Sequence, residues 1–177
     1  GLENAFCEAT DWQDWTNECA EGEDVFECGG GECGGIQGDI NGDDTVNVLD
    51  VVTVVNGIIN ATDVACSDLN GDGTTNILDI VIIVGIITNG RADDATEATF
   101  YLYENKIEFT SDGYVGAVQM TLNHNDDFSI ELTNAAFVAD YATNNNQTIL
   151  IVVAPESPEI FTSSGNFEIE EILAANS

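Results

Sequence analysis

The chain has 177 residues and a formal net charge of −31, because 33 acidic residues stand against only two basic ones. So large a negative charge is repelled by nucleic-acid backbones and by anionic membrane surfaces, which excludes both as partners. Hydrophobic residues make up 44% of the sequence, enough to build a folded core. No apolar run approaches the roughly 20 residues of a membrane-spanning helix, which also argues against direct membrane insertion.

Residues 1–37 form an acidic segment that is rich in cysteine and ends in the glycine-rich run "CGGGECGG". Cysteines clustered in a short polar segment are typical of the disulfide-bonded parts of secreted proteins. The candidates for disulfides are Cys7, Cys19, Cys28, Cys33 and Cys66. Their pairing is open: Cys7 and Cys19 are near neighbours, and the other three would share one bond. Metal binding by thiolates is the alternative, although no Cys-x-x-Cys spacing occurs.

The chain does not begin with Met, and Met120 is its only one. We therefore expect a processed chain from which a signal peptide has been removed. Together with the cysteines, this predicts an extracellular or cell-surface protein. Two sequons, at Asn60 and Asn146, are glycosylation candidates if the host glycosylates.

Residues 38–90 contain a repeat. The stretch "GDINGDDTVNVLDVV" from Gly38 returns 29 residues later as "SDLNGDGTTNILDIV" from Ser67. Each copy places oxygen donors at positions 1, 3, 5, 7, 9 and 12 of a twelve-residue loop, the seventh through its backbone carbonyl, which is the spacing that binds calcium. The predicted ligands are Asp39, Asn41, Asp43, Thr45, Asn47 and Asp50 in the first loop and Asp68, Asn70, Asp72, Thr74, Asn76 and Asp79 in the second. Two Ca²⁺ ions are therefore expected, and the excess of acids leaves room for more.

Position 6 of such a loop turns sharply and needs a positive φ, which favours glycine. The second copy has Gly73 there, whereas the first has Asp44. Aspartate adopts this conformation at some cost. The first site is therefore predicted to be strained or slightly weaker than the second.

Each loop is followed by a predicted helix, and the two helices differ. The first is amphipathic, with a stripe of valines and isoleucines. The second, "ILDIVIIVGIIT", is apolar nearly all round and must be buried on two faces. One face is expected to pack on the first helix. The other, with Ile82, Ile83 and Ile86, is predicted to bind a neighbouring molecule, the alternative being the chain's own β region.

The loop–helix, linker, loop–helix order of residues 38–90 resembles a dockerin, the calcium-binding half of the cohesin–dockerin pair. The resemblance implies a type I-like duplicated module that grips a cohesin through loop positions 10 and 11 and the following helix. Those positions hold Val48 and Leu49 in the first copy and Ile77 and Leu78 in the second. All four are apolar, so the implied interface is apolar too.

Residues 91–97 are predicted to be a linker, and residues 98–177 an all-β domain. Seven short runs alternate with turn residues, a pattern typical of a β-sandwich. They are "TFYLY", "KIEFT", "YVGAVQMTL", "DFSIEL", "AFVADY", "TILIVVA" and "FEIEEIL". The predicted fold class is thus α+β and multidomain, with the acidic segment 1–37, the dockerin-like domain 38–90 and a sandwich of about seven strands.

Within that last domain, "GYVGAVQMTL", "ILIVVA" and "GNFEIEEIL" resemble the middle and end of a cohesin-like sandwich. A cohesin carries further strands, so the resemblance implies a sandwich with an open edge that could accept a strand. A complete seven-stranded sandwich is the alternative.

No catalytic machinery is evident. His124 is the only histidine, and neither a Ser-His-Asp set nor a glycine-rich phosphate loop is found. The sequence predicts a non-catalytic extracellular assembly protein that binds calcium and associates with itself head to tail into a filament or scaffold. One alternative is an adaptor whose sandwich binds a separate cohesin partner or a carbohydrate, the latter through Phe100, Tyr101, Tyr103 and Tyr114. The other is a monomeric, calcium-stabilised adhesin domain.

Overall fold

The computed structural model describes residues 35–89 and 94–176. Cys7, Cys19, Cys28 and Cys33 lie outside these ranges. Two α-helices, α1 (Val48–Ile59) and α2 (Ile77–Thr88), follow the two loops of the repeat. Both begin with the same capping box, in which Asn47 or Asn76 caps the helix with its side chain. The carboxylate three residues later accepts a hydrogen bond from the backbone N–H of that asparagine. No helix in the described ranges is long and apolar enough to span a bilayer.

Eight antiparallel strands follow, in two sheets of four. They are β1 (Ala98–Leu102), β2 (Lys106–Ser111), β3 (Ala117–His124), β4 (Ser129–Leu132), β5 (Ala136–Asn144), β6 (Gln147–Pro155), β7 (Glu159–Ser164) and β8 (Phe167–Ala175). The first sheet has the order β1-β2-β7-β4 and the second the order β5-β6-β3-β8. The predicted fold class, an α+β chain with a C-terminal β-sandwich, is confirmed.

Strand β7 was not among the seven strands that the sequence pattern indicates. It lies between β2 and β4, and the β2–β7 register shifts between Ile107 and Glu108. Ile160 and Phe161 are consecutive and both fully buried, which breaks the alternation expected of a strand with one buried face. A proline and three serines lie within three residues of this pair, so neither the period nor the composition indicates the strand.

The two sheets enclose one hydrophobic core. Alternate residues of β3, such as Val118, Met120 and Leu122, are fully buried and point toward the first sheet. They meet Ile107 of β2 and Phe161 of β7, which are also fully buried. Phe161 contacts the ring of Phe167 edge-on, with the ring centroids 5.5 Å apart.

A second core lies on the other face of the second sheet, where both helices pack. Its buried residues come from the helices and the sheet together: Val51, Val54, Val55, Ile59, Ile77, Ile80, Val81, Ile83, Val84, Ala117, Ile151, Val153 and Ala175. The dockerin-like part and the sandwich therefore share a core, although the sequence divides them at residues 90 and 98. The side chains of this core are shielded from water by their own chain.

This packing corrects the expectation for Ile83. Ile83 is fully buried in the shared core, so its side chain is not available to a partner. The corresponding residue of the first repeat, Val54, is fully buried in the same way. Ile83 is thus covered by residues of its own chain, in a core to which both helices and the second sheet contribute.

The described part of the predicted linker, residues 94–97, is fastened to the sandwich. The carboxylate of Asp112 accepts hydrogen bonds from the backbone N–H groups of Thr96 and Glu97 and from the Thr96 hydroxyl. The Ala95 N–H donates to the Tyr114 carbonyl at 2.8 Å. These bonds fix the start of the sandwich where it follows the helical part.

Candidate metal centres and docking surface

The first carboxylate of each loop organises the loop backbone. Asp39 accepts hydrogen bonds from three backbone N–H groups, those of residues 42, 43 and 44, at 2.8–3.1 Å. Asp68 accepts the same three bonds from residues 71, 72 and 73, at 2.8–3.2 Å. The two loops therefore have matching conformations, as their sequences predict.

The last carboxylate of each loop is fully buried. Asp50 accepts N–H bonds from Ile40 at 2.8 Å, Asn41 at 3.1 Å and Asn47 at 2.8 Å. Asp79 accepts three bonds from the equivalent residues 69, 70 and 76 at 2.8–3.2 Å. Both residues are 0% exposed. Within the described ranges the single ion pair is Lys106–Glu108, so neither buried carboxylate has a Lys or Arg partner there.

The side chains at positions 3 and 5 of each loop each accept a hydrogen bond from the backbone N–H two residues later. Asn41 accepts from the Asp43 N–H at 2.9 Å, and Asp43 accepts from the Thr45 N–H at 2.9 Å. The Asn47 oxygen instead accepts the Leu49 N–H at the start of α1, at 2.8 Å. The side-chain oxygen at position 9 is thus used to cap the helix. This agrees with a residue that contacts the metal through a water molecule. The second loop repeats these contacts at Asn70, Asp72 and Asn76.

The turn at position 6 has the expected backbone. Asp44 has φ 67° and Gly73 has φ 87°. Asp44 therefore adopts the left-handed conformation that favours glycine.

Hard oxygen donors dominate both loops, and this donor set suits a cation such as calcium. In residues 35–89 and 94–176 no three His, Cys, Asp or Glu side chains form a group that would hold a metal by themselves. The fit of each loop therefore depends on the whole oxygen set, including the asparagine side chains and the threonine carbonyl. Asp50 and Asp79 are buried and have no basic partner in residues 35–89 and 94–176, which agrees with a bound cation as their counter-charge.

The exposed surface of the helical part contains a line of apolar residues on α2. Leu78 is 46% exposed, Ile86 is 39% exposed, and Ile82 between them is half-buried. We call these three residues the α2 stripe; they lie four residues apart and so follow one side of the helix. In α1 the equivalent positions hold Leu49, which is 55% exposed, then Thr53 and the buried Gly57. The two repeats therefore present different surfaces.

The other candidate residues are scattered. Asn60 caps the C-terminal end of α1, and Asn146 lies in the β5–β6 turn with its amide 3.0 Å from Asp126; both are exposed. Cys66 is disulfide-bonded, and the other four cysteines lie outside the described residues. His124 stacks on Phe128, with ring centroids 4.2 Å apart, and its Nε2 lies 2.8 Å from the Thr148 hydroxyl.

The sheet surface beneath the helices was missed in the sequence, although a signal for it is present. Residues 150–153 of β6 are four consecutive buried residues, all apolar. A continuous apolar run is typical of a strand that is buried on both faces. That pattern in "TILIVVA" indicates that another layer of the protein covers the outer face of the sheet that contains β6.

Residues 37–88 match the family model for the dockerin type I domain, which covers both loops and both helices. Domains of this family are non-catalytic, calcium-binding modules of protein–protein interaction. Comparison with curated proteins found no significant match to the chain, and comparison with solved structures found none either.

Proposed function

We propose that the chain is a calcium-dependent docking protein, in which the dockerin region binds a cohesin-type partner and is held rigidly on its own β-sandwich. The observation that carries the proposal is the pair of matching loops, each with a fully buried carboxylate that has no basic partner in the described residues. Each loop would bind one Ca²⁺. In the first, Asp39, Asn41, Asp43 and Asp50 would supply side-chain oxygens, Thr45 its carbonyl, and Asn47 a water-mediated contact.

Calcium supplies positive charge to each loop, and residues of the chain connect the bound ion to the helices. Asp50 and Asp79 connect each ion to the first turn of a helix, since both also bond to the N-cap backbone. Binding would therefore stabilise the helices, and with them the core that they share with the sandwich. Stability gained by binding is RT ln(1 + [L]/Kd), about 4 kcal/mol at a thousandfold excess over Kd.

Isothermal titration of the chelator-treated full chain with CaCl₂ tests the metal sites. We expect two ions per chain, and one ion for Asp79→Ala. Glu131→Ala, which removes an exposed carboxylate on β4, is the matched control and should leave two. Absence of calcium uptake by the intact chain would disprove the proposal.

The partner surface would be formed by Leu49 and the α2 stripe, which remain accessible while the opposite sides of the helices pack on the sheet. Exposed leucine and isoleucine side chains gain burial when a partner covers them. Immobilised cohesin domains should capture the chain in calcium and release it in a chelator. Leu78→Asp should weaken capture, whereas Asn56→Asp, an exposed change on α1, should not. Failure of every cohesin tested, with calcium binding intact, would reject this partner but keep the metal sites.

Self-association is the second candidate, with the sandwich of one molecule acting as a cohesin for the α2 stripe of the next. Two features favour it: both elements are present in one chain, and the four edge strands β1, β4, β5 and β8 pair on one side only within the described residues. Repeated head-to-tail contacts of this kind would produce filaments. The third interpretation, a monomeric calcium-stabilised domain, is supported by the packing of both helices on their own sandwich.

An extracellular or cell-surface location is part of the proposal. Proteins with dockerin domains typically act outside the cell, and the disulfide-bonded state of Cys66 suits an oxidising environment. Disulfides among the remaining cysteines stay a prediction, which mass spectrometry before and after reduction would test.

A further inference from the structure

The outer face of the sheet β1-β2-β7-β4 is open to solvent. The helices pack on the other sheet, and none of the outward side chains on these four strands is buried. Most of these side chains are Thr, Ser or Glu. The exceptions are Lys106 of β2 and two aromatic rings near the β1 edge, Tyr101 and Tyr103, which are 45% and 46% exposed.

Tyr101 lies in β1, and Tyr103 is the first residue after Leu102, the end of that strand; its N–H donates to the Lys106 carbonyl at 3.0 Å and so continues the pairing with β2. Side chains alternate along such an extended segment, so the two tyrosines share this face. Phe100, the neighbour of Tyr101, points the other way and stacks on Phe109 in the core, with ring centroids 6.0 Å apart. Tyr101 and Tyr103 are two residues apart, which places them roughly 6–7 Å from one another along the strand direction. Together they form an aromatic platform on an otherwise polar surface.

Neighbouring charges hold part of this platform in place. The Lys106 ammonium lies 5.0 Å from the centroid of the Tyr103 ring and is also paired with Glu108. Glu108 is directly opposite Tyr101 in the β1–β2 register. A ligand lying on the rings would therefore find a donor, Lys106, and an acceptor, Glu108, beside them without rearrangement of the sheet.

These features together select a class of ligand. Sugar rings have an apolar C–H surface that packs on an aromatic ring, and hydroxyl groups that both donate and accept hydrogen bonds. The net charge of −31 and the carboxylates on this face repel acidic polymers. The face is an exposed sheet surface, so an extended chain can lie along it. We propose that this face binds a neutral polysaccharide, with Tyr101 and Tyr103 as the stacking platform and Lys106 and Glu108 as hydrogen-bonding partners.

Native affinity electrophoresis of the full chain tests this site. Gels would contain hydroxyethylcellulose, galactomannan or soluble starch as neutral probes, and alginate as the anionic one. We expect retardation in at least one neutral gel and none in alginate. Tyr101→Ala and Tyr103→Ala should each weaken the association about tenfold, because each removes one ring from the platform.

Tyr141→Ala is the matched control, since Tyr141 is 41% exposed on β5 of the other sheet. This variant should be retarded as strongly as the parent chain. Unchanged migration of the parent in all three neutral gels would overturn the proposal, and so would retardation in alginate alone. Retardation of both tyrosine variants as strong as that of the parent chain, with unaltered circular dichroism spectra, would overturn it as well.

Discussion

Val81 of α2 lies directly over Gly116, the residue before β3, so closely that a Cβ atom at Gly116 would stand 2.8 Å from the Cγ1 atom of Val81. The same Cβ would lie 3.1 Å from the carbonyl oxygen of Ala175. Gly116 also donates to that carbonyl and accepts from the Ala154 N–H, both at 2.7 Å. Helix α2 is thus packed on the sheet at Gly116, a position where there is no room for a side chain.

Gly116→Ala should therefore lower the free energy of unfolding by about 1–3 kcal/mol, the usual cost of overpacking a close contact. Urea denaturation followed by circular dichroism measures the effect. Gly35→Ala is the control, because no atom of the described residues lies within 4 Å of its added Cβ. Equal stability of the two variants would mean that helix and sheet are not in close contact there.

The loops and helices were predictable because their signals are local. Oxygen donors at fixed offsets, an asparagine cap and an aspartate three residues later specify each loop and helix start over fifteen residues. The strands were predictable where apolar and polar residues alternate. Strand β7 was not, since consecutive buried residues at 160 and 161 and a shifted register break the two-residue period.

The seating of the helices on the sheet depends on contacts between residues far apart in sequence. Val81 and Gly116 are brought together only by the fold, and no local pattern relates them. The sequence of α2 also does not distinguish its buried side from its exposed side, because Ile83 and Ile86 are both apolar although one is buried and the other is 39% exposed. Tertiary packing, not composition, decides which side of such a helix faces a partner.

Chelation of calcium should loosen the second sheet more than the first. The helices cover Ile151 and Val153 of β6, which are fully buried in the shared core. Without the ions the helices lose their N-terminal anchors, so the backbone amides of β6 should exchange faster with solvent. Hydrogen exchange with and without EDTA measures this. Amides of β2, which is in the other sheet, are the internal control; equal acceleration or none in both strands would contradict the coupling.

Asp44→Gly should maintain or raise the calcium affinity of the first loop. Asp44 has φ 67°, where an aspartate is strained and a glycine is not. The reverse change, Gly73→Asp, should weaken the second loop, because it introduces the same strain at φ 87°. Calcium titration of both variants measures these affinities. A clear loss of affinity in Asp44→Gly would show that the Asp44 carboxylate contributes more to calcium binding than the backbone strain costs.

The hydrogen bonds that Asp112 accepts from residues 96 and 97, here called the Asp112 clamp, should make stability depend on pH in the acid range. Hydrogen bonds from the Thr96 hydroxyl and from the N–H groups of Glu97 and Thr96 lower the pKa of Asp112 below its ordinary 3.8. A lowered pKa means that the carboxylate stabilises the fold above pH 3.8 and loses this effect as the pH falls through the folded-state pKa. Asp112→Asn should therefore be less stable than the parent at neutral pH, with the difference shrinking below pH 3.8. Urea denaturation across this range measures it; a difference independent of pH would exclude the clamp as its cause.

The final prediction separates the core side of α2 from its exposed side. Ile83 is fully buried in the core that the helices and the second sheet share, so Ile83→Ala should cost about 2–5 kcal/mol of stability, and Ile83→Asp should disrupt that core. Ile86 is 39% exposed, so Ile86→Asp should leave the circular dichroism spectrum and the calcium stoichiometry unchanged.

If the α2 stripe binds a partner, Ile86→Asp should nevertheless reduce that binding, since it places a charge where the partner buries an isoleucine. Light scattering of the parent chain in calcium and in EDTA shows whether the chain is a monomer or assembles with itself. A monomer in calcium that still binds a cohesin domain supports the separate partner. Assemblies that dissolve in EDTA and are absent in Ile86→Asp support self-association. Assemblies that persist in Ile86→Asp would exclude the stripe as the interface, because no partner surface buries a new carboxylate beside Leu78 and Ile82 without a large loss of affinity.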